Sequence, residues 1–223
     1  MTRNWGELMP IPKEDLLKAI RQMRENSKPR KFLQSVELLV GLRDIDLKKP
    51  ENRISEDVVL PHGLGKQRKV AIFAEGDLAL RAKEAGVDLV LGRDDINALQ
   101  KDKKRAKKIA EEFDFFLAQA DLMPLIGRAL GPVLGPRGKI PKPVPPSADP
   151  KGLLERYRKT IRIRTREQPV VHAPIGTEQM GDEQLADNAS AMLEALEHKL
   201  EKGMHQIGSV YIKTTMGKAV RVI

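Results

Sequence analysis

The chain has 223 residues, with 40 Lys and Arg against 31 Asp and Glu and no cysteine. That length suits one large domain or two smaller ones; the missing cysteines exclude disulfides, thiolate metal sites and thiol nucleophiles, and no apolar run approaches the roughly 20 residues needed to cross a bilayer. The net charge of +9 favours a polyanionic partner, because each phosphate neutralised releases counterions, although an ordinary basic surface carrying many charges of both signs reads equally well.

Residues 1–7 lead into Pro10 and Pro12 without a signal-type apolar core, which points to a cytosolic protein. Pro12 suits a first helical turn, and Leu16, Ala19, Ile20 and Met23 fall on one face of the helix that follows. Arg21, Arg24, Lys28, Arg30 and Lys31 make a basic connector, with Ser27 and Pro29 ending the helix. Residues 32–42 read as a strand whose buried face is Val36, Leu38, Val40 and Leu42. Residues 48–56, with Pro50, read as a polar loop. A short strand at Val58, Val59 and Leu60 stops at Pro61-His62-Gly63-Leu64-Gly65-Lys66, a turn or hinge.

Beyond it the texture changes. Short apolar runs at 69–73, 87–91 and 113–118 alternate with helices at 77–86, 94–112 and 121–130, which is the signature of a parallel, Rossmann-like α/β layer. Residues 131–146 combine glycine with six prolines and exclude a helix or a central strand. A helix or turn at 150–159 follows, then a strand through Ile161 and Ile163 whose partner begins at Val170 and Val171. Asp182 caps a long helix with a stripe of Leu185, Ala189, Met192, Leu193, Leu196 and Leu200, and Gly203 ends it. Residues 209–223 alternate in two stretches, Val210, Ile212, Thr214 and then Val220, Val222, separated by Met216-Gly217.

Two isolated strands are not independently stable, so the chain ends need each other. The expected fold class is α/β in two domains: a discontinuous α+β outer domain, residues 1–65 plus 153–223, and an inserted three-layer Rossmann-like domain, residues 66–152.

Gly138-Lys139 is followed by Ile140, so the triphosphate-binding pattern of glycine, lysine and then serine or threonine is absent. The segment reads either as a shaped RNA or protein contact or as a structural loop. His62, His172, His198 and His205 share no metal-ligand spacing. Asp94-Asp95 and Glu111-Glu112 are helix neighbours that do not face each other. No catalytic residue, metal or cofactor is assigned. Aromatics are too few for serial base stacking, and recognition of a folded RNA through backbone, 2′-hydroxyls and shape fits better. The lysines of 103–108 either join such a contact or form a solvated helix face. An α/β enzyme using the middle domain for a nucleotide is the alternative reading.

Lys31-Phe32 with Ser35-Val36-Glu37, Pro61-His62-Gly63-Leu64-Gly65-Lys66, the stretch from Gly127-Arg128 to Gly138, His172-Ala173-Pro174-Ile175-Gly176, Leu185-Ala186-Asp187-Asn188 and Thr214-Thr215-Met216-Gly217 occur in one order along the chain. Together they resemble the family of large-subunit ribosomal protein one, the universal stalk protein, over essentially the whole length. Leu122-Met123-Pro124-Leu125-Ile126-Gly127-Arg128 and the proline-rich 139–146 look like its archaeal form, as does a short N-terminus without the bacterial leader. The resemblance implies a non-enzymatic protein, monomeric when free and without cofactors, that binds large-subunit rRNA near the tRNA exit site, has exit-site tRNA as a further partner, and represses translation by binding its own mRNA. It implies RNA contacts at Lys31, Phe32, Ser35, Glu37, His172, Thr214, Thr215, Met216, Gly217 and Lys218, a hinge at Gly63 and Gly65, and a secondary RNA contact at Arg137 and Lys139. Gly217 is expected to adopt a backbone conformation other residues would strain to reach. Lys218 stands where bacterial relatives often have proline, which adds charge. Glu37 is the odd member: facing phosphate, a carboxylate is repelled, so it must accept from a 2′-hydroxyl or base amine, or orient a neighbouring Lys or Arg.

Overall fold

A computed structural model of the protein describes residues 11–49, 52–165 and 167–223. The readings of residues 1–7, Pro10 and Pro50 lie outside them. In chain order the elements are α1 (Lys13–Glu25), β1 (Ser35–Leu42), β2 (Ser55–Val59), β3 (Val70–Phe73), α2 (Gly76–Glu84), β4 (Leu89–Leu91), α3 (Arg93–Lys101), α4 (Lys103–Glu112), β5 (Phe115–Gln119), α5 (Met123–Leu134), β6 (Lys142–Val144), α6 (Pro150–Arg158), β7 (Thr160–Arg164), β8 (Val170–Thr177), α7 (Asp182–Lys199), β9 (Ile207–Thr214) and β10 (Val220–Arg221). They fall into two units, one of residues 1–66 with 159–223 and one of residues 67–158. The second crossing lies beyond the expected residue 152, because α6 carries Leu154 and Tyr157 into the core of the middle unit.

In the unit built from the chain ends, an antiparallel sheet runs in the order β10-β9-β1-β8. The two-residue period of β1 sends Val36, Leu38 and Val40 to one face, where Val171, Ala173 and Ile175 of β8 and Val210 and Ile212 of β9 join them. The apolar stripes of α1 and α7 close over that face. β2 pairs with β7 in a separate two-stranded sheet, with Asp57 opposite Arg162 and their side chains 2.6 Å apart. This corrects the expected partner of the Ile161–Ile163 strand: Val170 and Val171 belong to β8, which pairs along β1. Asp182 also differs from expectation. It is the first residue of α7, not its cap, and Gln184 reaches back to the Gly181 N–H at 3.1 Å.

The middle unit is a parallel sheet in the order β4-β3-β5-β6. The central strands β3 and β5 are buried on both faces, so successive residues of β3 serve different cores. Ala71 and Phe73 pack toward α3, α4 and α5, and Val70 and Ile72 toward α2 and α6, giving three layers. Two expectations change here. The single helix 94–112 is two, because Asp102 leaves helical geometry (φ −106°, ψ 84°) and its carboxylate accepts from the N–H groups of Lys104 and Arg105 to start α4. The segment 131–146 is not wholly irregular, since α5 runs on through Gly131 and Pro132 to Leu134. The lost proline donor is offset by burial of Leu130 and Leu134. Pro143 sits in β6, a strand paired only with β5, the edge position that tolerates a missing N–H.

Candidate nucleic-acid interface

β1 enters the sheet directly after the basic connector, and β9 leaves it at Thr214, so the segments around residues 31–37 and 214–218 meet at one end of the sheet, although Ser35 and Thr215 are 180 positions apart. The Thr215 hydroxyl accepts from the Ser35 N–H (3.1 Å) and donates to the Ser35 carbonyl (3.3 Å), while the Thr215 N–H donates to that carbonyl at 3.0 Å. The Met216 N–H donates to Gln34 Oε1 at 3.2 Å. Gln34, only 1% exposed, turns its amide NH2 to the Glu178 carboxylate (3.1 Å), the Lys28 carbonyl (3.3 Å) and Ser27 Oγ (3.4 Å). Its backbone N–H donates to Glu178 Oε1 at 3.0 Å. Arg24 of α1 in turn holds the 178–182 turn, through Asp182 (2.7 Å), the Glu178 carbonyl (2.7 Å) and the Met180 carbonyl. One buried amide therefore ties the connector, β1 and the C-terminal loop together.

The expected site residues divide by what their side chains do. Phe32 and Met216 are 51% and 60% exposed, two large apolar surfaces that the fold leaves uncovered at this end. Lys31 and Lys218 are exposed, and among the described residues neither is paired with a carboxylate. Thr214 is different: it is 1% exposed, with its hydroxyl 3.2 Å from Ser27 Oγ, so it supports the surface from beneath. Thr215 likewise uses its hydroxyl on Ser35. Gly217 closes a turn by donating to the Thr214 carbonyl at 3.0 Å. Its φ is not in the left-handed region, which corrects the expectation; glycine is needed because a Cβ would fall well inside contact distance of Thr214 Oγ1.

Glu37, 19% exposed at its side chain, pairs with His172 Nε2 at 2.9 Å across the β1–β8 seam. Lys213 lies opposite Glu37 in the β1–β9 register. The carboxylate thus holds the His172 imidazole, with Lys213 its register neighbour on the open face of the sheet, so the partner it orients is a histidine where a Lys or Arg was expected. Ser35, Leu39 and Tyr211 share that face by strand parity.

The hinge candidates have the geometry that calls for glycine. Gly63 and Gly65 have φ of 65° and 68°, a region L-residues reach only at a cost. Asn188, fully buried on α7, accepts from the His62 N–H (3.1 Å) and donates to the carbonyls of Gly63 (2.7 Å) and Ile175 (2.8 Å). Asp187 takes His62 Nε2 at 3.0 Å and pairs with Lys13. The Lys13 and then the His62 hydrogen bonds hold its carboxyl below the usual carboxylate range. At the far end of the segment the Lys66 ammonium donates to Ser35 Oγ and the Leu33 carbonyl, both at 3.2 Å. Lys66 therefore joins the candidate surface, a residue that sequence reasoning did not single out.

The secondary pair lies in the middle unit and is engaged internally. Arg137 binds Glu111 at 2.9 Å, and Lys139 donates to the Ala110 and Phe113 carbonyls (2.9 and 2.8 Å) at the end of α4. Among the described residues no cluster of His, Asp or Glu has the arrangement of a metal site, and no helix is long and apolar enough to cross a membrane.

A two-unit α/β chain with a cationic and apolar surface at one sheet end is the class these features define. Residues 23–218 match the ribosomal protein L1p/L10e family, and the chain belongs to it. Among its relatives are proteins called large ribosomal subunit protein uL1. That of Archaeoglobus fulgidus is 54% identical over 96% of this chain and all of its own length. Those of Methanothermobacter thermautotrophicus, at 50%, and Methanocaldococcus jannaschii, at 51%, span 94% and 95% of this chain and 99% and 96% of their own. The likeness is thus to archaeal members, and the family is one of structural ribosomal proteins rather than enzymes.

Proposed function

We propose that this protein is a structural constituent of the large ribosomal subunit. It binds the stalk region of large-subunit rRNA through the end of the antiparallel sheet, beside exit-site tRNA, and works in the cytoplasm on the ribosome, monomeric when free. The observation that carries this reading is the joining of residues 31–37 to residues 214–218 by the Ser35–Thr215 and Gln34–Met216 hydrogen bonds. That join sets exposed Phe32 and Met216 among Lys31, Lys66 and Lys218. In this role the ammonium groups meet phosphates, which position the RNA without reading sequence. Phe32 and Met216 lie against sugars or bases, and Glu37 with His172 accepts from or donates to 2′-hydroxyls and base edges.

Titration of the protein with a large-subunit stalk fragment and with an unrelated RNA of equal length tests the reading. Saturable binding that favours the stalk fragment is expected, and equal affinity for both would refute it. The family resemblance further supports binding to the protein's own mRNA as a repressor. Competition between that transcript and the stalk fragment for one site is then expected, and simultaneous binding of both would contradict it.

A further inference from the structure

α4 departs from the charge pattern of four of the other helices. α1, α2, α3 and α7 each carry acidic residues in the first turn and basic residues in the last, the arrangement the helix dipole favours. α4 reverses this. Its first turn holds Lys103, Lys104 and Arg105 and no acid, and its end holds Glu111 and Glu112 and no base. The acidic end is compensated from outside the helix, Glu111 by Arg137, Glu112 by Lys69, and the last carbonyls by Lys139. At the basic end Asp102 serves only the backbone N–H groups of Lys104 and Arg105. Lys103, Lys104, Arg105, Lys107 and Lys108 are all exposed, and none has an ion-pair partner among the described residues. Lys103, Lys104 and Arg105 thus hold positive charge in the one turn where the dipole opposes it, while Lys107 and Lys108 extend the same exposed face, Lys108 also acting on the Glu112 carboxylate. Buried Ala106 and Ala110 hold the opposite face of the helix against the unit's core, so the cations project from a fixed frame.

We propose that α4 is a second RNA-binding surface, one that takes the phosphodiester backbone without reading bases. The cations supply donors and charge, and α4 carries no aromatic residue to stack a base, so the face suits phosphate rather than base edges. The proposal rests on the reading of the chain as an RNA-binding protein, but it concerns a different unit from the sheet-end site.

The test uses the full chain with three probes: a duplex RNA of unrelated sequence, the stalk fragment, and poly-glutamate. Lys103→Gln, Lys104→Gln, Lys107→Gln and Lys108→Gln are combined in one variant and compared with a Phe32→Ala, Met216→Ala variant over a salt series. The four-lysine variant is expected to bind the unrelated duplex about tenfold or more weakly at low salt, and its slope of log affinity against log salt should flatten by about 0.9 for each phosphate that is no longer neutralised. Its thermal midpoint is expected to hold or rise, because the first turn is relieved of charge the dipole opposes. The Phe32, Met216 variant is expected to lose preference for the stalk fragment without flattening the salt slope, since neither side chain carries charge. Unchanged slope and affinity in the four-lysine variant, a lowered midpoint, or poly-glutamate displacing the duplex at equal charge concentration would overturn the proposal. If the wild type does not prefer the stalk fragment, the sheet-end reading fails while α4 is judged on the duplex alone.

Discussion

Replacing Gln34 by leucine should remove the join on which the sheet-end surface depends. The side chain is buried and its amide serves Met216, Glu178, Lys28 and Ser27. Leucine keeps the bulk and deletes every one of these bonds. A buried group that loses its partner costs about 1 to 3 kcal/mol, and the Met216 N–H and the Lys28 carbonyl are only part-buried, so water recovers some of that. A total of about 2 to 4 kcal/mol follows, which at this chain length lowers the melting temperature by about 5 to 15 °C. The 214–217 turn then keeps its Ser35 bonds but loses its second anchor. Affinity for the stalk fragment should fall about tenfold, equivalent to about 1.4 kcal/mol. Thermal melting followed by circular dichroism, with the RNA titration repeated on the folded variant, measures both. A Gln34→Leu protein that melts within about 2 °C of wild type and binds the fragment equally well would refute the role given to this amide.

Gly217→Val forces a side chain onto Thr214 Oγ1 and breaks the Ser27–Thr214 contact; stalk-fragment affinity should drop at least as far as in the Gln34 variant, read in the same titration. Asp187 should give an acid-dependent signature. Its folded pKa is depressed by Lys13 and His62, so its contribution is present above its ordinary value of 3.8 and is lost as pH falls through the lower folded value. Melting temperatures between about pH 2 and 6, a window that spans the acid titration of a paired carboxylate, should therefore decline less steeply at the acid end in Asp187→Asn than in wild type, and parallel curves would count against the pairing. Joining residue 66 to residue 159 by a short linker should leave a folded unit with most of the stalk-fragment preference, because every sheet-end residue lies within it; a folded but indiscriminate product would show that the middle unit carries recognition.

Much of the fold can be read from spacing because burial follows the period of each element. β1 alternates throughout and β9 does so from Ser209 on, and the central strands β3 and β5 of the middle unit are apolar on both sides. The pattern misleads where a non-local or capping interaction overrides the local one. Val170 lies close in sequence to Ile163, which suggests a hairpin, but β8 gains a long central partner in β1. Asp102 looks like one more charge in a basic helix, whereas its carboxylate starts a new one. Pro132 suggests irregular chain, yet Leu130 and Leu134, one helical turn apart, keep α5 going.

The sheet-end site is less legible. No periodicity links residues 31–37 to 214–218, and only the family resemblance brings them together. A signal does exist for its supports: Gln34 has the same parity as Val36, Leu38 and Val40, Thr214 the same as Val210 and Ile212, and Asn188 falls within the stripe of Leu185 and Met192. Polar residues at apolar positions mark buried hydrogen-bond networks. Lys66 carries no comparable signal, since its place beside Ser35 depends on the path of the chain through Gly63 and Gly65.

In the proposed role Phe32 and Met216, from opposite ends of the chain, form one RNA-recognition surface. A double-mutant cycle on stalk-fragment affinity, using Phe32→Ala, Met216→Ala and their combination, measures it most directly. Both residues are exposed and stand outside the core that truncation would disturb. Each single change should weaken stalk binding with the salt slope unmoved, and the double variant should fall to the affinity of unrelated RNA. Full stalk affinity in the folded double variant would contradict the claim.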